Sequence, residues 1–413
     1  LTVFKTVLHW SVLLFFCIYS IGGMFNPVSA HATLERATPA AKEVVSQSPH
    51  HIELQMSEPV NTTYSTLTIY NDQGHKITTE KPKESGFSKQ ISFNVPSLEK
   101  GSHLVEWEAT AQDGHTMHGT YIFSIGHSTA TAIDKTQPIW KDVSLWWGAM
   151  RFLLQSMLLL FIGLYYVNRI MKYEGLPTYP VLLRHRGVTV MLCLWVLGTS
   201  VLYLMTLPQS VIDNILRLQF DTWLQFPFIL SMTAVMTLLI LLALRNMEQI
   251  WYDTLPLILL IALAMSGHVW AQEITVYAIL IRTLHLSAMA LWLGTLLYLM
   301  FYIFTQHRHS YVLILRSIIL KLNICAVVVI IVTGVLMTID QTSFTHLFRH
   351  TTTYLSLWIS KVVFTLLMIG LGAYQTFKMM KQKKCIHRKL LITELLIGIV
   401  LVLFGIIMSQ INL

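Results

Sequence analysis

The chain is poor in charge. Only 12% of its 413 residues are Asp, Glu, Lys or Arg, while 54% are hydrophobic; soluble globular chains carry about 25% charged residues. That shortage excludes a disordered protein and a wholly water-soluble enzyme, and it requires an integral membrane protein. Cysteine is scarce as well. Cys17, Cys193, Cys325 and Cys385 are the whole complement, and none lies in residues 31–140, so that segment has no disulfide and no thiolate to hold a metal. Neither G-x-x-x-x-G-K-[ST] nor D-K-T-G-T occurs, which argues against an ATP-driven pump. No stretch has the make-up of a nucleic-acid-binding module.

What charge there is lies unevenly. Residues 31–140 carry a net −4 and residues 141–413 a net +11. The overall +8 is therefore the signature of a membrane topology rather than of a nucleic-acid footprint. Residues 1–30 read as a cleaved secretory signal: Lys5 supplies the positive start, Trp10 to Ile21 the apolar run, and Val28-Ser29-Ala30 a small-residue cleavage site. Cleavage there makes His31 the mature N-terminus.

Residues 31–127 alternate with the period of strands. Ile52 to Met56, Thr66 to Tyr70, Gln90 to Phe93, His103 to Trp107 and Thr120 to Ile125 are the clearest runs, separated by Gly-, Asn- and Asp-bearing turns. About seven strands in about 100 residues predict an all-β sandwich of immunoglobulin-like size. Residues 128–143 are a polar linker. From residue 144 the pattern changes to apolar runs of about 20 residues, the length that crosses a bilayer as helix. Eight such spans are expected, at about 145–168, 187–207, 223–244, 254–271, 275–304, 318–339, 357–377 and 390–411. Arg169, Lys172, Arg184, Arg186, Arg245, Arg308, Arg316 and the 378–389 lysine cluster fall in one set of loops; the other set carries only Arg217 and Arg349. The positive-inside rule makes the first set cytoplasmic. The β domain and the C-terminus then lie outside a plasma membrane, in agreement with the signal segment, and the lysine cluster meets anionic lipid.

Two groups of residues suggest chemistry. A free N-terminal histidine offers its α-amine and its ring Nδ1 to one ion, a donor set that suits Cu(II). Asp113-Gly114-His115 adds a carboxylate and an imidazole that point the same way on an extended strand. In the membrane half, His268 and His285 stand in or at the edge of consecutive spans, where ionisable groups are costly and usually functional. Met265 and Met289 are spaced to share a helical face with them, and thioether with imidazole suits copper, Cu(I) above all. Read along antiparallel helices, the two histidines are successive stations rather than ligands of one ion. Arg151, Arg282 and Lys361 lie near the expected outer ends, where long cationic side chains snorkel.

His31-Ala32-x-Leu34, Thr38-Pro39-Ala40, Ser57-Glu58-Pro59-Val60, Val105-x-Trp107 and Asp113-Gly114-His115-x-x-x-Gly119 resemble the CopC copper-binding domain. Ser266-Gly267-His268, His285-x6-Trp292-x-Gly294, Thr333-Gly334 and Lys361 resemble CopD, and the order of parts is similar to the fused YcnJ type of copper-uptake protein. The resemblance implies Cu(II) ligands at His31, Asp113 and His115. Met56 and Met117 are the only methionines of this domain, too few for a separate Cu(I) loop, and Met117 and His118 read as surface residues rather than further ligands. The expected function is copper acquisition, with capture of Cu(II) outside and passage of copper inward along His268, His285, Met265 and Met289; no enzyme activity is expected, and neither a copper donor nor a reductase is identified. Copper tolerance by sequestration or export uses the same ligands. A membrane oxidoreductase, with an oxygen-activating histidine brace or one haem between His268 and His285, is a further alternative.

Overall fold

The computed structural model describes residues 34–111, 116–131, 133, 143–180, 183, 185–219, 222–223, 226–244, 247–270, 274–305, 311–341, 353–382 and 385–409, with backbone alone at 209, 210, 268, 340, 341, 353 and 354. The expected signal segment 1–30, His31 and Asp113-Gly114-His115 lie outside the described residues.

Seven strands come first: β1 Leu34–Thr38, β2 Val44–Val45, β3 His51–Tyr70, β4 Lys76–Glu80, β5 Phe87–Asn94, β6 Gly101–Ala111 and β7 Thr116–Ile125. All belong to one hydrogen-bonded sheet, because the 20-residue β3 pairs with β1, β4, β5 and β6. The first part of β3 pairs with β1 and β5, and its last part with β4 and β6, with shifts of register between them. The two parts face each other across one core, in which Ile52, Leu54, Ile91 and Phe93 meet Leu67, Ile69, Val105, Trp107 and Phe123. Strict in–out alternation along β3 from His51 to Met56 delivers those side chains inward. Gly119 sits directly across the ladder from Trp107. A Cβ there would lie 2.5 Å from the indole, so this glycine is what lets the large ring lie flat on the sheet.

The rest of the described chain is helical: α1 Val143–Tyr173, α2 Arg186–Met205, α3 Gln209–Leu216, α4 Pro227–Ala243, α5 Gln249–Ala264, α6 Thr275–Thr305, α7 Val312–Gln341, α8 Thr353–Tyr374 and α9 Arg388–Met408. Six of these stretches are long and apolar enough to cross a bilayer, and α4 and α5 are shorter apolar helices of 17 and 16 residues. A single turn of wider helix, Gln375–Met380, extends α8. Residues 209–216, expected as loop, form α3. Its sequence places Val211 and Ile215 four apart on one buried face, a pattern too short to stand out among longer apolar runs. The fourth apolar run ends as helix at Ala264, earlier than expected. Gly267 takes a left-handed φ of 79°, which a residue with a Cβ rarely adopts, and residues 268–270 form one tight 3₁₀ turn.

The two longest helices, α1 and α6, meet backbone to backbone. A Cβ on Gly163 would lie 1.8 Å from the Ala290 carbonyl oxygen, and one on Gly294 would lie 2.2 Å from the Gly163 carbonyl carbon. Lipid provides no hydrophobic drive between helices, so close approach through small residues holds such contacts. Gly163→Ala is expected to cost at least about 2–3 kcal/mol, the upper range of overpacking, and to lower the membrane abundance of the protein severalfold. Gly370, with nothing within 4 Å of its Cβ direction, is the control: Gly370→Ala should leave abundance unchanged on a quantitative membrane blot.

The β domain touches the helices through Tyr64. Its ring packs against Phe226, with centroids 5.9 Å apart, and its hydroxyl accepts from Asn214 Nδ2 (3.4 Å) and lies 3.5 Å from the Thr222 hydroxyl. Tyr64 is buried in the helical core cluster rather than in the core of the sheet.

Candidate metal centres

The sheet register decides what surrounds the first expected centre. β1 begins at Leu34, opposite Met56 of β3, and β6 ends at Ala111, opposite Val60 of β3. β5 occupies the other edge of β3 in both regions, so β1 and β6 lie on the same edge. Both run antiparallel to β3. β1 therefore runs away from the Val60 end of β3, and β6 runs towards its Met56 end. Four residues of β3 separate the two attachment points, roughly 13 Å at about 3.3 Å per residue. His31 stands three residues before Leu34, and residues 112–115 join β6 to β7. The described strands thus open a gap along one edge of β3, with the attachment points of both ligand segments at its two ends.

The neighbours of that gap correct one expectation. Met117 is not a surface residue. It is 3% exposed and belongs to the core of the sheet, because alternation on β7 turns it inward and His118 outward. Met56 is buried in the same core. His118 is exposed and pairs across the ladder with Glu108; burial pushes the Glu108 carboxyl above the usual carboxylate range, and the neighbouring imidazole opposes that shift. His103, unremarkable in the sequence, is a buried structural histidine. Its Nε2 lies 2.8 Å from the Glu99 carbonyl and its ring packs on Phe123.

The second centre lies inside the helical half. His285, on α6, is buried, and its Nδ1 lies 2.8 Å from the Thr333 hydroxyl of α7. That hydroxyl has one proton, and it is donated to the Val329 carbonyl (2.6 Å). With that proton on the Val329 carbonyl, Thr333 accepts from a ring proton assigned to Nδ1, and the Ile330 backbone is a second hydrogen-bond partner of His285. Gly334 keeps the neighbouring turn of α7 clear, since a Cβ there would come within 3.8 Å of His285 Cε1. His285 borders a cavity of about 50 Å³, with Met289 one turn further along α6 and Lys361, Thr365 and Met368 from α8. Gly398 and Leu401 of α9 close it.

Of the four expected membrane residues, the structure brings His285 and Met289 together at this cavity. Met265 is elsewhere: it caps α5, and its carbonyl accepts from Trp270 Nε1 (2.6 Å). The side chain of His268 lies outside the described residues. Its turn is tied to α6, because Arg282 donates to the Ser266 carbonyl one helical turn before His285. The snorkelling expected of the three cations is overturned for Arg151 and Lys361. Arg151 is 4% exposed, with its guanidinium 5.4 Å from the Trp147 ring and 5.5 Å from Phe228. Lys361 faces the cavity, and Arg282 is held by the Ser266 turn. Snorkelling fails because α1, α6 and α8 turn these residues towards other helices rather than along a lipid-facing side. Two further groups were missed in the sequence. Met368 is one of many apolar residues of α8, distinguished only by where the helix points it. Glu394 of α9 is 2% exposed with an unpartnered Oε1, one turn before Gly398; a lone Glu within an apolar run was the available signal.

The CopC domain family model matches residues 34–126, and that of copper resistance protein D, CopD, matches residues 320–409. Copper transport protein CutJ of Bacillus subtilis (strain 168) is 25% identical over 309 residues, covering 69% of this chain and 55% of CutJ. Protein YobA of Escherichia coli (strain K12) is 36% identical over 101 residues, covering 24% of this chain and 81% of YobA. The chain carries a CopC domain and a CopD domain. It is homologous to CutJ and spans about half of that protein's length. Among solved structures, CopC from Methylosinus trichosporium OB3b is 26% identical, with a TM-score of 0.22, covering 25% of this chain and 99% of that one. The CopD match takes in most of α7, α8 and α9, which supply Thr333, Lys361, Met368 and Gly398. Copper transport and resistance is thus the family's business, and a multi-pass membrane protein is its form.

Proposed function

We propose that the protein acquires copper. The CopC-like β domain, outside the plasma membrane after removal of residues 1–30, captures Cu(II) through the His31 amine and imidazole, Asp113 and His115. The CopD-like half, as eight spans with α4 and α5 included, passes copper inward past His268 and His285, with Met265 and Met289 beside them. The observation that carries this reading is the buried His285 ring, oriented by Thr333 and bordering a cavity with Met289 in the helical half of a chain that also has a CopC domain. A buried polar group costs free energy unless it is used, and a histidine locked in one tautomer by a neighbour is how proteins prepare a metal ligand. The β3 register supports the capture site, since β1 and β6, the strands next to the two ligand segments in sequence, pair along the same edge of β3. The contact of Tyr64 with the stretch between α2 and α4 supports the orientation, because charge counting assigns that stretch to the outer side.

Direction follows from cellular copper measured with and without the protein at limiting supply. Uptake predicts a severalfold lower copper content per cell in the deletion strain. A higher content would replace acquisition by export.

A further inference from the structure

The proposed route leaves open which form of copper its membrane station takes, and the cavity lining bears on that. Resting on the copper-route reading, we propose that the cavity is a Cu(I) site in which His285 Nε2, the Met289 thioether and the Met368 thioether are the three ligands. His285 and Met289 are one turn apart on α6, and Met368 enters from α8 on the facing side. One imidazole nitrogen and two thioethers form a soft donor set, which favours Cu(I) over Cu(II). Gly398 lets α9 approach the cavity wall closely, since a Cβ at that position would lie 2.6 Å from Leu293 Cδ2.

Lys361 sharpens the choice of ion. It lines the same cavity, and no carboxylate is among the lining residues. Repulsion from a lysine ammonium scales with the charge of its neighbour, so a divalent ion meets twice the penalty of a monovalent one. A hard-ligand site is also missing: among the described residues no group of three His, Cys, Asp or Glu side chains is disposed to hold a metal. The cavity has room for a bare ion or a few waters, which suits an ion that has shed its hydration shell. Copper captured outside as Cu(II) is reduced before it reaches the cavity by a one-electron reductant external to this chain, Cu(II) + e− → Cu(I); the site binds the reduced ion and itself carries out no electron transfer. Thr333 is a positioning residue, because it fixes the ring proton on Nδ1.

The test uses the purified full-length protein in detergent, titrated anaerobically with Cu(I) against a chromophoric Cu(I) chelator, with X-ray absorption at the copper edge after His31 has been blocked. Wild type is expected to hold one Cu(I) with two sulfur neighbours. Met368→Leu, close in volume, is expected to weaken Cu(I) binding at least tenfold and to remove one sulfur, while the unblocked protein keeps its Cu(II) absorption band. Thr333→Val should weaken Cu(I) binding as well, and Thr333→Ser should restore it. Wild-type affinity and sulfur count in Met368→Leu would overturn the site. If His285→Ala at the same time abolishes cellular uptake, the copper route stands and only this ligand set falls. If His285→Ala transports like wild type, the route itself falls.

Discussion

Copper(II) binding by the outer domain is expected to weaken by roughly a hundredfold, about 2.7 kcal/mol, when a single residue precedes His31. The added residue turns the α-amine into an amide, which keeps the imidazole but removes the second nitrogen of the chelate ring. The described core of the sheet is untouched, because the added residue precedes His31, three residues before β1 in the sequence. The comparison is between residues 31–127 with a free His31 amine and the same domain with one extra N-terminal alanine, titrated with Cu(II) against a competing chelator. Asp113→Ala and His115→Ala should each weaken binding by tenfold or more while leaving the thermal midpoint within a few degrees, since no side chain of the described core is altered. Equal affinity with and without the extra residue would remove the amine from the site. A loss of midpoint in the Asp113 or His115 variants would reassign them to structure.

His285→Ala is expected to reduce copper uptake per protein molecule at least tenfold, with Cu(II) binding by the outer domain intact. The ring is the one imidazole described at the cavity. Removing it also strands the Thr333 hydroxyl, but that group keeps its bond to the Val329 carbonyl, so the cost in folding is small. A packing role predicts the opposite pattern, with less protein in the membrane and unchanged uptake per molecule. Uptake of isotopic copper divided by the amount of protein in the membrane separates the two. Wild-type uptake per molecule would end the role of His285 in the route.

The motifs shared with the family are a mixture of chemistry and packing, and only the structure separates the two. In Asp113-Gly114-His115-x-x-x-Gly119 the final glycine seats Trp107 and touches no metal chemistry. In His285-x6-Trp292-x-Gly294 the glycine is where α6 meets Gly163 of α1, whereas the histidine and tryptophan border the cavity. Thr333-Gly334 does both jobs at once: the hydroxyl orients His285 and the glycine makes room for its ring. A sequence records that a glycine is there, but not what approaches it.

Local patterns therefore determined the class of each half. Alternation of period two in residues 34–125 and apolar runs of about 20 residues beyond 143 reflect the backbone's need to pair its polar groups within a sheet or within a helix, and that need is met by neighbours in the chain. The His285 position was conspicuous for the same reason, since an ionisable residue stands out in an apolar run, whereas His31 and Asp113-Gly114-His115 are expectations of the sequence that lie outside the described residues. Tertiary structure alone decided which distant residues face one another. It turned Met117 into the core, took Arg151 and Lys361 away from the lipid, and set Met368 across from His285 and Met289. Those outcomes depend on which side of each helix or strand meets its partner, and periodicity is blind to that choice: a helix with apolar residues all round offers no side to read.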